Sequence, residues 1–371
     1  MLSSYHKIFF VIGITCLFFH GCSGVKIPAE KQLEIWWKSY KKHFLLPDGR
    51  IQRPEHACDT VSEGQAYAMI SSVFINDKKT FDLIFHWTED HLSRGKKYGD
   101  HLLAWHWKNG DVDDWMPASD ADCDYAFALL LASRQWNDQG YREKAMQIIN
   151  DIMGHETVRG GDNRLFLLPG LWGNETNGYL IQNPSYYNPA AFRRFYETTR
   201  DNHWLHLVET SYWLFSQAGV RLDTVNGCGL IPDWCMVDVH GNILKVEDRS
   251  ADYGWESVRI PVRIGLDILW YKTEEGNRII AKMYQFLQSS FSRTGEIKAA
   301  YYYTGEPSVA YGGLASDAIL YFMAQILVDK SDAIKISFKK RLSEKAFLQN
   351  YYGQSMAFYP LALERGILKK L

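Results

Sequence analysis

Val61-Ser62-Glu63-Gly64-Gln65-Ala66-Tyr67-Ala68-Met69 opens an apolar segment whose spacing is helical. Ala66, Met69 and Ile70 fall at the intervals of a helix face turned towards a core. Ser62, followed three residues later by Gln65, has the form of a capping box and predicts that the helix begins here. Glu63 then lies in the first turn, where the helix dipole by itself favours an acidic residue. A second stretch repeats the arrangement: Pro117-Ala118-Ser119-Asp120-Ala121-Asp122-Cys123-Asp124-Tyr125-Ala126-Phe127-Ala128-Leu129. Ser119 or Asp120 is placed to cap it, and Tyr125, Leu129, Ala132 and Trp136 carry an apolar stripe. Two helices that both open on carboxylates are the pattern around which the rest of the chain is read.

Working outward, helices are expected to begin at Glu30, Ser62, Lys78, Ser119, Tyr141, Asn188, His203, Asp252 and Glu274, and three more near Gly312, Ser331 and Lys345. Strand signals are few and short, at residues 241–246 and 296–300. About twelve helices without parallel-sheet alternation predict an all-α fold. Gly160 to Pro189 has little periodicity and reads as a long ordered loop, a kind of segment that is often functional. Trp172, Tyr179, Tyr186 and Tyr187 are placed either to line a groove there or to pack the loop down. No Pro- or Ser-rich linker divides the chain, so residues 25–371 are expected to form a single domain.

The 371 residues are 46% hydrophobic and 23% charged, enough to bury a sizeable core. A net charge of -2 with no basic block argues against nucleic acid as a partner. The 13 Trp and 22 Tyr suit either sugar faces or core packing. In residues 1–24 Lys7 is the sole charge, and Ile8 to Phe19 form an apolar run too short for a comfortable membrane span. This reads as a signal peptide. Gly21 before Cys22 resembles a bacterial lipoprotein cleavage site, so an acylated Cys22 is expected, with ordinary cleavage as the alternative. Either route takes the mature chain out of the cytoplasm, to the periplasm, the medium or a lipid-anchored place on the cell surface. Beyond the leader stand Cys58, Cys123, Cys228 and Cys235. An oxidising compartment permits a disulfide, Cys228 and Cys235 being the nearest pair; small buried hydrophobes are the other reading.

Several chemistries find no support. Zinc-spaced His/Cys clusters, a Gly-rich phosphate loop and a Gly-x-Ser-x-Gly elbow are absent, so no metal or cofactor is called for. Asp120, Asp122 and Asp124 do not make a calcium loop, because Tyr125 and Leu131 stand where Gly and an acid are required.

Ala118-Ser119-Asp120-Ala121-Asp122, followed by Ala126, Ala132 and Trp136, resembles the signature of glycoside hydrolase family 8. Ser62-Glu63-Gly64-Gln65 resembles the same family's acid-bearing helix start. Leu103-Ala104-Trp105-His106-Trp107, Asn183-Pro184-Ser185-Tyr186-Tyr187, Pro232-Asp233-Trp234 and Arg259-Ile260-Pro261-Val262-Arg263 follow in family order, over about residues 30 to 330. The resemblance implies an (α/α)6 barrel of six inner and six outer helices. It also implies an inverting glycosidase, a monomer acting on a polysaccharide or oligosaccharide, that cuts β-1,4 bonds in a glucan such as cellulose or mixed-linkage β-glucan. Chitosanase and xylan or oligoxylan hydrolase share the scaffold. A glycan-binding surface lipoprotein without turnover is the reading that applies if the base has been lost.

Glycoside hydrolysis needs one protonated carboxyl group and one carboxylate. Glu63 is the candidate acid. A helix N-terminus favours the ionised form, so burial or a nearby carboxylate must supply the opposite shift. Asp120 is the neighbour that the resemblance assigns to holding the reacting sugar in a distorted form. Asp124 shares its helix face and Asp122 does not; Asp124 is read as complementing the helix end. The base is expected in Ala251-Asp252-Tyr253-Gly254-Trp255-Glu256-Ser257-Val258-Arg259. The best-known branch of the family has Asp three residues before this Arg, and this chain has Glu256, one methylene longer. Another branch places its base in a different loop. Asp252, read four residues earlier on the same helix face, is the alternative. A plain ion pair of Glu256 with Arg259 or Arg263 is the structural one. Arg259 is expected to bind sugar hydroxyls or to order the carboxylate. Tyr186 matches a family Tyr near the attacking water. Trp105, Trp107 and Trp234 are stacking platforms or core.

Overall fold

The computed structural model describes residues 28–175, 178–223, 225 and 227–371. The expected leader and Cys22 lie outside the described residues. Among these, thirteen α-helices carry the fold: α1 (Ala29–Phe44), α2 (Ser62–Ile75), α3 (Lys78–His91), α4 (Gly95–Tyr98), α5 (Ser119–Gln135), α6 (Gln139–His155), α7 (Pro189–Thr199), α8 (His203–Leu222), α9 (Ile260–Tyr271), α10 (Glu274–Thr294), α11 (Leu314–Ile326), α12 (Asp332–Ser343) and α13 (Tyr351–Arg365). Except for the single turn α4, they divide into two classes by burial.

In α2, α5, α9, α11 and α13 most residues are buried, and α7 buries six of its first seven. A helix apolar all round has to sit inside. The others bury one stripe, as α3 does with Phe81, Ile84, Trp87 and Thr88 and α6 does with Tyr141, Ala145, Ile148 and Ile152. The inner helices pack in the order α2, α5, α7, α9, α11, α13 and back to α2. Each has an outer partner: α3, α6, α8, α10 and α12 follow their inner helices, and α1 backs α13. This is a closed (α/α)6 barrel. Small residues bring the inner ring together; a Cβ on Gly265 of α9 would lie 2.4 Å from the Phe322 ring of α11.

Because an outer helix returns the chain each time, the six inner helices run parallel, with their N-termini at one end. Short antiparallel sheets dress the molecule. β1 (Thr60–Val61), β2 (His106–Lys108) and β3 (Asp111–Asp114) form one, β4 (Thr157–Arg159) and β5 (Leu165–Leu167) a second, and β6 (Leu180–Gln182), β7 (Cys235–Val237) and β8 (Ile243–Leu244) a third.

Several local expectations need correction. Ser62 makes no capping bond to its helix; Val61 is the N-cap, in extended backbone. Gln65 turns inward instead, accepting from the Ile51 N–H at 2.6 Å and donating to Thr88 Oγ1 at 2.9 Å. Neither Ser119 nor Asp120 caps α5, whose N-cap is Ala118; Ser119 Oγ donates to the Leu168 carbonyl. No helix begins at Asp252: a 3-10 turn, Ser257–Arg259, precedes α9. Only a 3-10 turn stands at Lys345, and α13 begins at Tyr351. Residues 296–300 form no strand. Gly160 to Pro189 contains β5, β6 and a 3-10 turn, Pro184–Tyr186, and so is ordered by pairing. Cys58, Cys123, Cys228 and Cys235 are all free thiols.

Candidate active site

The N-terminal ends of α2, α11 and α13 and the approach to α9 line a cleft of about 510 Å³. Glu63 enters it from the first turn of α2, and Glu256 enters from the loop that leads into α9. That loop is folded around Asp233. Its Oδ1 accepts from the N–H groups of Gly254 at 3.0 Å, Glu256 at 3.2 Å and Ser257 at 2.8 Å, and from Ser257 Oγ at 2.6 Å. One buried carboxylate thus takes the unpaired donors of a helix approach, as a capping residue does. Burial raises this carboxyl to about 6, against the pull of those bonds.

Arg259 ties the site together. One amino group donates to Asp120 Oδ2 at 2.6 Å and to the Tyr67 hydroxyl at 2.8 Å. The other donates to Ser185 Oγ at 2.9 Å and to Glu256 Oε2. Asn183 Nδ2 also donates to Glu256 Oε2, at 3.1 Å. One turn deeper, Arg263 pairs with Asp124, which also accepts from Asn188 Nδ2 at 3.1 Å. Asp120 and Asp124 on α5 therefore face Arg259 and Arg263 across the barrel axis as two stacked ion pairs. Asp124 serves this ladder and not the helix end. The planar guanidinium, with several donors in a fixed fork, is the group suited to such a buried hub.

Glu63 is half-buried, and its carboxyl accepts a long bond from Ser62 Oγ at 3.4 Å. Burial first, and the Asp120 charge second, push its carboxyl up to about 8. The helix dipole acts in the other direction and loses to these two effects. Burial also raises Asp120, with Arg259 opposing. Behind Asp120, Asp122 accepts from the Leu103 N–H at 2.8 Å, and buried Glu156 lies near it with no hydrogen-bond partner. Burial holds both of these carboxyls well above the usual range.

The other expected residues are placed as follows. Tyr186 lies beneath Arg259, with the guanidinium carbon 5.4 Å from its ring centroid. Trp105 stacks on the His106 ring at 4.7 Å, and its carbonyl accepts from the Ser62 N–H at 2.9 Å, which ties it to the mouth of α2. Trp107 packs edge-on against Trp87 and His91, beside the core. Trp234 lies against Trp172 and Tyr186. Asp252 does not line the cleft; its carbonyl accepts from the Asp233 N–H, so the structure does not bring its carboxyl to the site.

Sequence reading missed much of the wall. Tyr67, Tyr351, Tyr352, Trp255 and Tyr311 all line the cleft. Trp255 and Tyr311 are half-exposed, with ring planes 26° apart and centroids 6.4 Å apart. The Tyr351 hydroxyl is buried and has no hydrogen-bond partner. Gly64, next to Glu63, makes room for it: a Cβ there would lie 2.9 Å from that hydroxyl. Arg53 grips Asp59 through two bonds of 2.7 Å, and His106 bridges Asp59 and Asp113 at 2.9 Å each, bracing the rim beside Glu63. Tyr67 and Gly64 stood in the opening stretch and were the signal available for this side of the wall. Among the described residues no cluster of His, Cys, Asp and Glu suits a metal ion.

The sequence model described as Glycosyl hydrolases family 8 matches residues 25–332. The chain belongs to glycosyl hydrolase family 8. An endoglucanase of Pseudomonas fluorescens is 30% identical to this family 8 chain over 321 residues, 80% of this chain and 77% of that one. One from Cellulomonas uda is 32% identical over 232 residues, 62% of each chain. The family 8 chain thus spans less than two thirds of the Cellulomonas uda relative and 49% of an endoglucanase A of Acetivibrio thermocellus. Among solved structures, a family 8 endoglucanase of Klebsiella pneumoniae shares the fold with a TM-score of 0.75 at 24% identity, covering 90% of this chain and 99% of that one. A reducing-end-xylose releasing exo-oligoxylanase also has a TM-score of 0.75, at 20% identity, covering 92% and 93%.

Proposed function

We propose that this chain is an inverting glycosidase that cuts β-1,4 bonds in a glucan such as cellulose or mixed-linkage β-glucan, with Glu63 as acid and Glu256 as base. The observation that carries the reading is that these two carboxyl groups line one cleft, with Asp120 joined to Glu256 through Arg259. Glu63, held protonated near neutral pH, gives its proton to the glycosidic oxygen as the bond to the anomeric carbon breaks. Water enters from the opposite face, and Glu256 takes its proton. Arg259 and Asn183 both donate to Glu256 Oε2 and so fix the position of the proposed base. Asp120, buried on the same guanidinium just behind the cleft wall, favours the distorted, positively charged form of the reacting sugar. Trp105 and Tyr186 remain proposed sugar contacts; Trp107 is less supported because of its packing, and Trp234 because the Arg249 guanidinium lies over its ring.

Residues 25–371 act in this reading as one catalytic domain, a monomer working outside the cytoplasm. Cys22 is the proposed lipid anchor, and nucleic acid plays no part. Glu63→Gln is the direct test, measured as reducing-end release from soluble cellulose derivatives, mixed-linkage β-glucan, xylan and chitosan. Loss of about 10²- to 10⁴-fold, the range expected when a general acid is removed, supports the assignment. An unchanged rate on the glycan that wild type cleaves removes Glu63 from the mechanism. The panel also separates glucanase from xylan hydrolase and chitosanase, and binding without turnover on all four glycans would favour a carbohydrate-binding protein.

A further inference from the structure

We infer that Arg249 plugs one end of the glycan path, so that bound sugars extend from the carboxyl pair mainly towards Trp255 and Tyr311. The inference rests on the glycosidase reading and adds to it a residue that sets which part of a chain the site accepts.

The cleft runs from Glu63 and Glu256 to the exposed rings of Trp255 and Tyr311. Past Arg259 an aromatic wall continues, with Tyr186 beneath the guanidinium, Trp234 edge-on to Tyr186 at 5.9 Å, and Trp172 at 5.9 Å from Trp234. Two partly exposed tryptophans beside a sugar cleft are natural stacking faces, yet neither they nor Tyr186 line the cavity. The reason is Arg249, whose guanidinium carbon lies 4.5 Å from the ring centroid of Trp172 and 4.5 Å from that of Trp234. A flat cation over both indoles takes the place where the apolar face of a pyranose would rest.

Two further observations fit a plug. The Arg249 Nε is buried with no hydrogen-bond partner, so the side chain is held there by the rings and not by an ion pair at that atom. The backbone that follows it is pinned independently: the Trp234 N–H donates to the Ser250 carbonyl at 3.0 Å and the Asp233 N–H to the Asp252 carbonyl at 2.6 Å. Shortening the side chain therefore bares the two indole faces while the loop that carries Glu256 keeps its frame.

The test measures binding of β-1,4-linked glucose, xylose and glucosamine oligomers of two to six units by calorimetry. It uses Glu63→Gln and Glu63→Gln/Arg249→Ala, with kcat/KM of Arg249→Ala on the series that wild type cleaves. The expected result is that Glu63→Gln stops gaining affinity at a shorter oligomer than the double variant. Arg249→Ala then gains several-fold in kcat/KM on the longest oligomers relative to the shortest. The same length dependence in both proteins overturns the plug and leaves the glycosidase reading standing. Failure of all three series to bind either protein overturns both.

Discussion

The Arg259 guanidinium meets the Asp120 carboxylate at 2.6 Å inside the barrel mouth, where both side chains are almost wholly buried. The same cation holds Glu256. Its charge is therefore shared between the carboxylate proposed to shape the sugar and the one proposed to activate water. A buried ion pair contributes little net stability when intact, but removing one partner strands a charge.

Arg259→Ala is expected to destabilise the protein by about 3–5 kcal/mol, because Asp120 is left buried and unpaired. Denaturant titration checks this. Arg259→Lys keeps the charge but not the fork, so it should lose less stability and still lower kcat at least about tenfold, since a point charge cannot serve Asp120, Glu256, Tyr67 and Ser185 together. Equal stability of Arg259→Ala and wild type would contradict the shared-cation arrangement.

The raised carboxyl of Glu63 predicts two pH effects. An acid must be protonated to act, so kcat/KM should fall as pH rises through about 8. Stability moves with the same group. Between its ordinary value of 4.5 and about 8, the unfolded chain releases a proton that the folded chain retains. Folding therefore loses stability as pH rises across that window. Glu63→Gln removes the effect. It should melt several degrees above wild type at pH 8, with the difference vanishing below the ordinary carboxyl value. A pH-independent difference would mean that Glu63 is not held protonated.

Glu256→Asp restores the carboxylate of the family's best-known branch but draws it back by one methylene from Arg259 and Asn183. Turnover is expected to fall about tenfold while persisting, whereas Glu256→Gln should lose about 10²- to 10⁴-fold with little change in KM. Kinetics on the cleaved glycan decide, and a Glu256→Gln variant as active as wild type would return Glu256 to a plain ion-pair role.

The barrel was legible because its inner helices are apolar all round and its outer ones striped; ten of the twelve long helices begin within a few residues of where periodicity and turn residues put them. Their caps were not legible. Ser62 and Ser119 have the right residue type, but the Ser62 hydroxyl turns to the adjacent Glu63 carboxyl and the Ser119 hydroxyl to the distant Leu168 carbonyl, so neither caps its helix. The start of α9 was misplaced because Asp233, distant in sequence, holds residues 254–257 in a turn that no local rule anticipates. For the same reason Asp252 never joins Glu256 on a helix face. The motifs did point to the carboxyls that meet here, Glu63 and Glu256 at the cleft and Asp120 on Arg259 behind it. The wall was not legible: Trp255 and Tyr311 come from separate irregular loops, and the pairing of Arg249 with Trp172 and Trp234 needs three segments folded together.

The buried, unpartnered hydroxyl of Tyr351 beside Glu63 is a cost to the folded state of about 1–3 kcal/mol. Tyr351→Phe should therefore melt at or above the wild-type temperature. If the hydroxyl is kept for a sugar oxygen, the same variant loses kcat/KM several-fold. A loss of both stability and activity would instead point to a structural role.

The central claim is that Glu63 and Glu256 act from opposite faces of the scissile bond with a water between them. Following the anomeric signals of the first products by proton NMR on the best-cleaved β-linked glycan tests it most directly. The account predicts that the α-anomer appears first and mutarotates to the equilibrium mixture. Initial appearance of the β-anomer would show retention and contradict it.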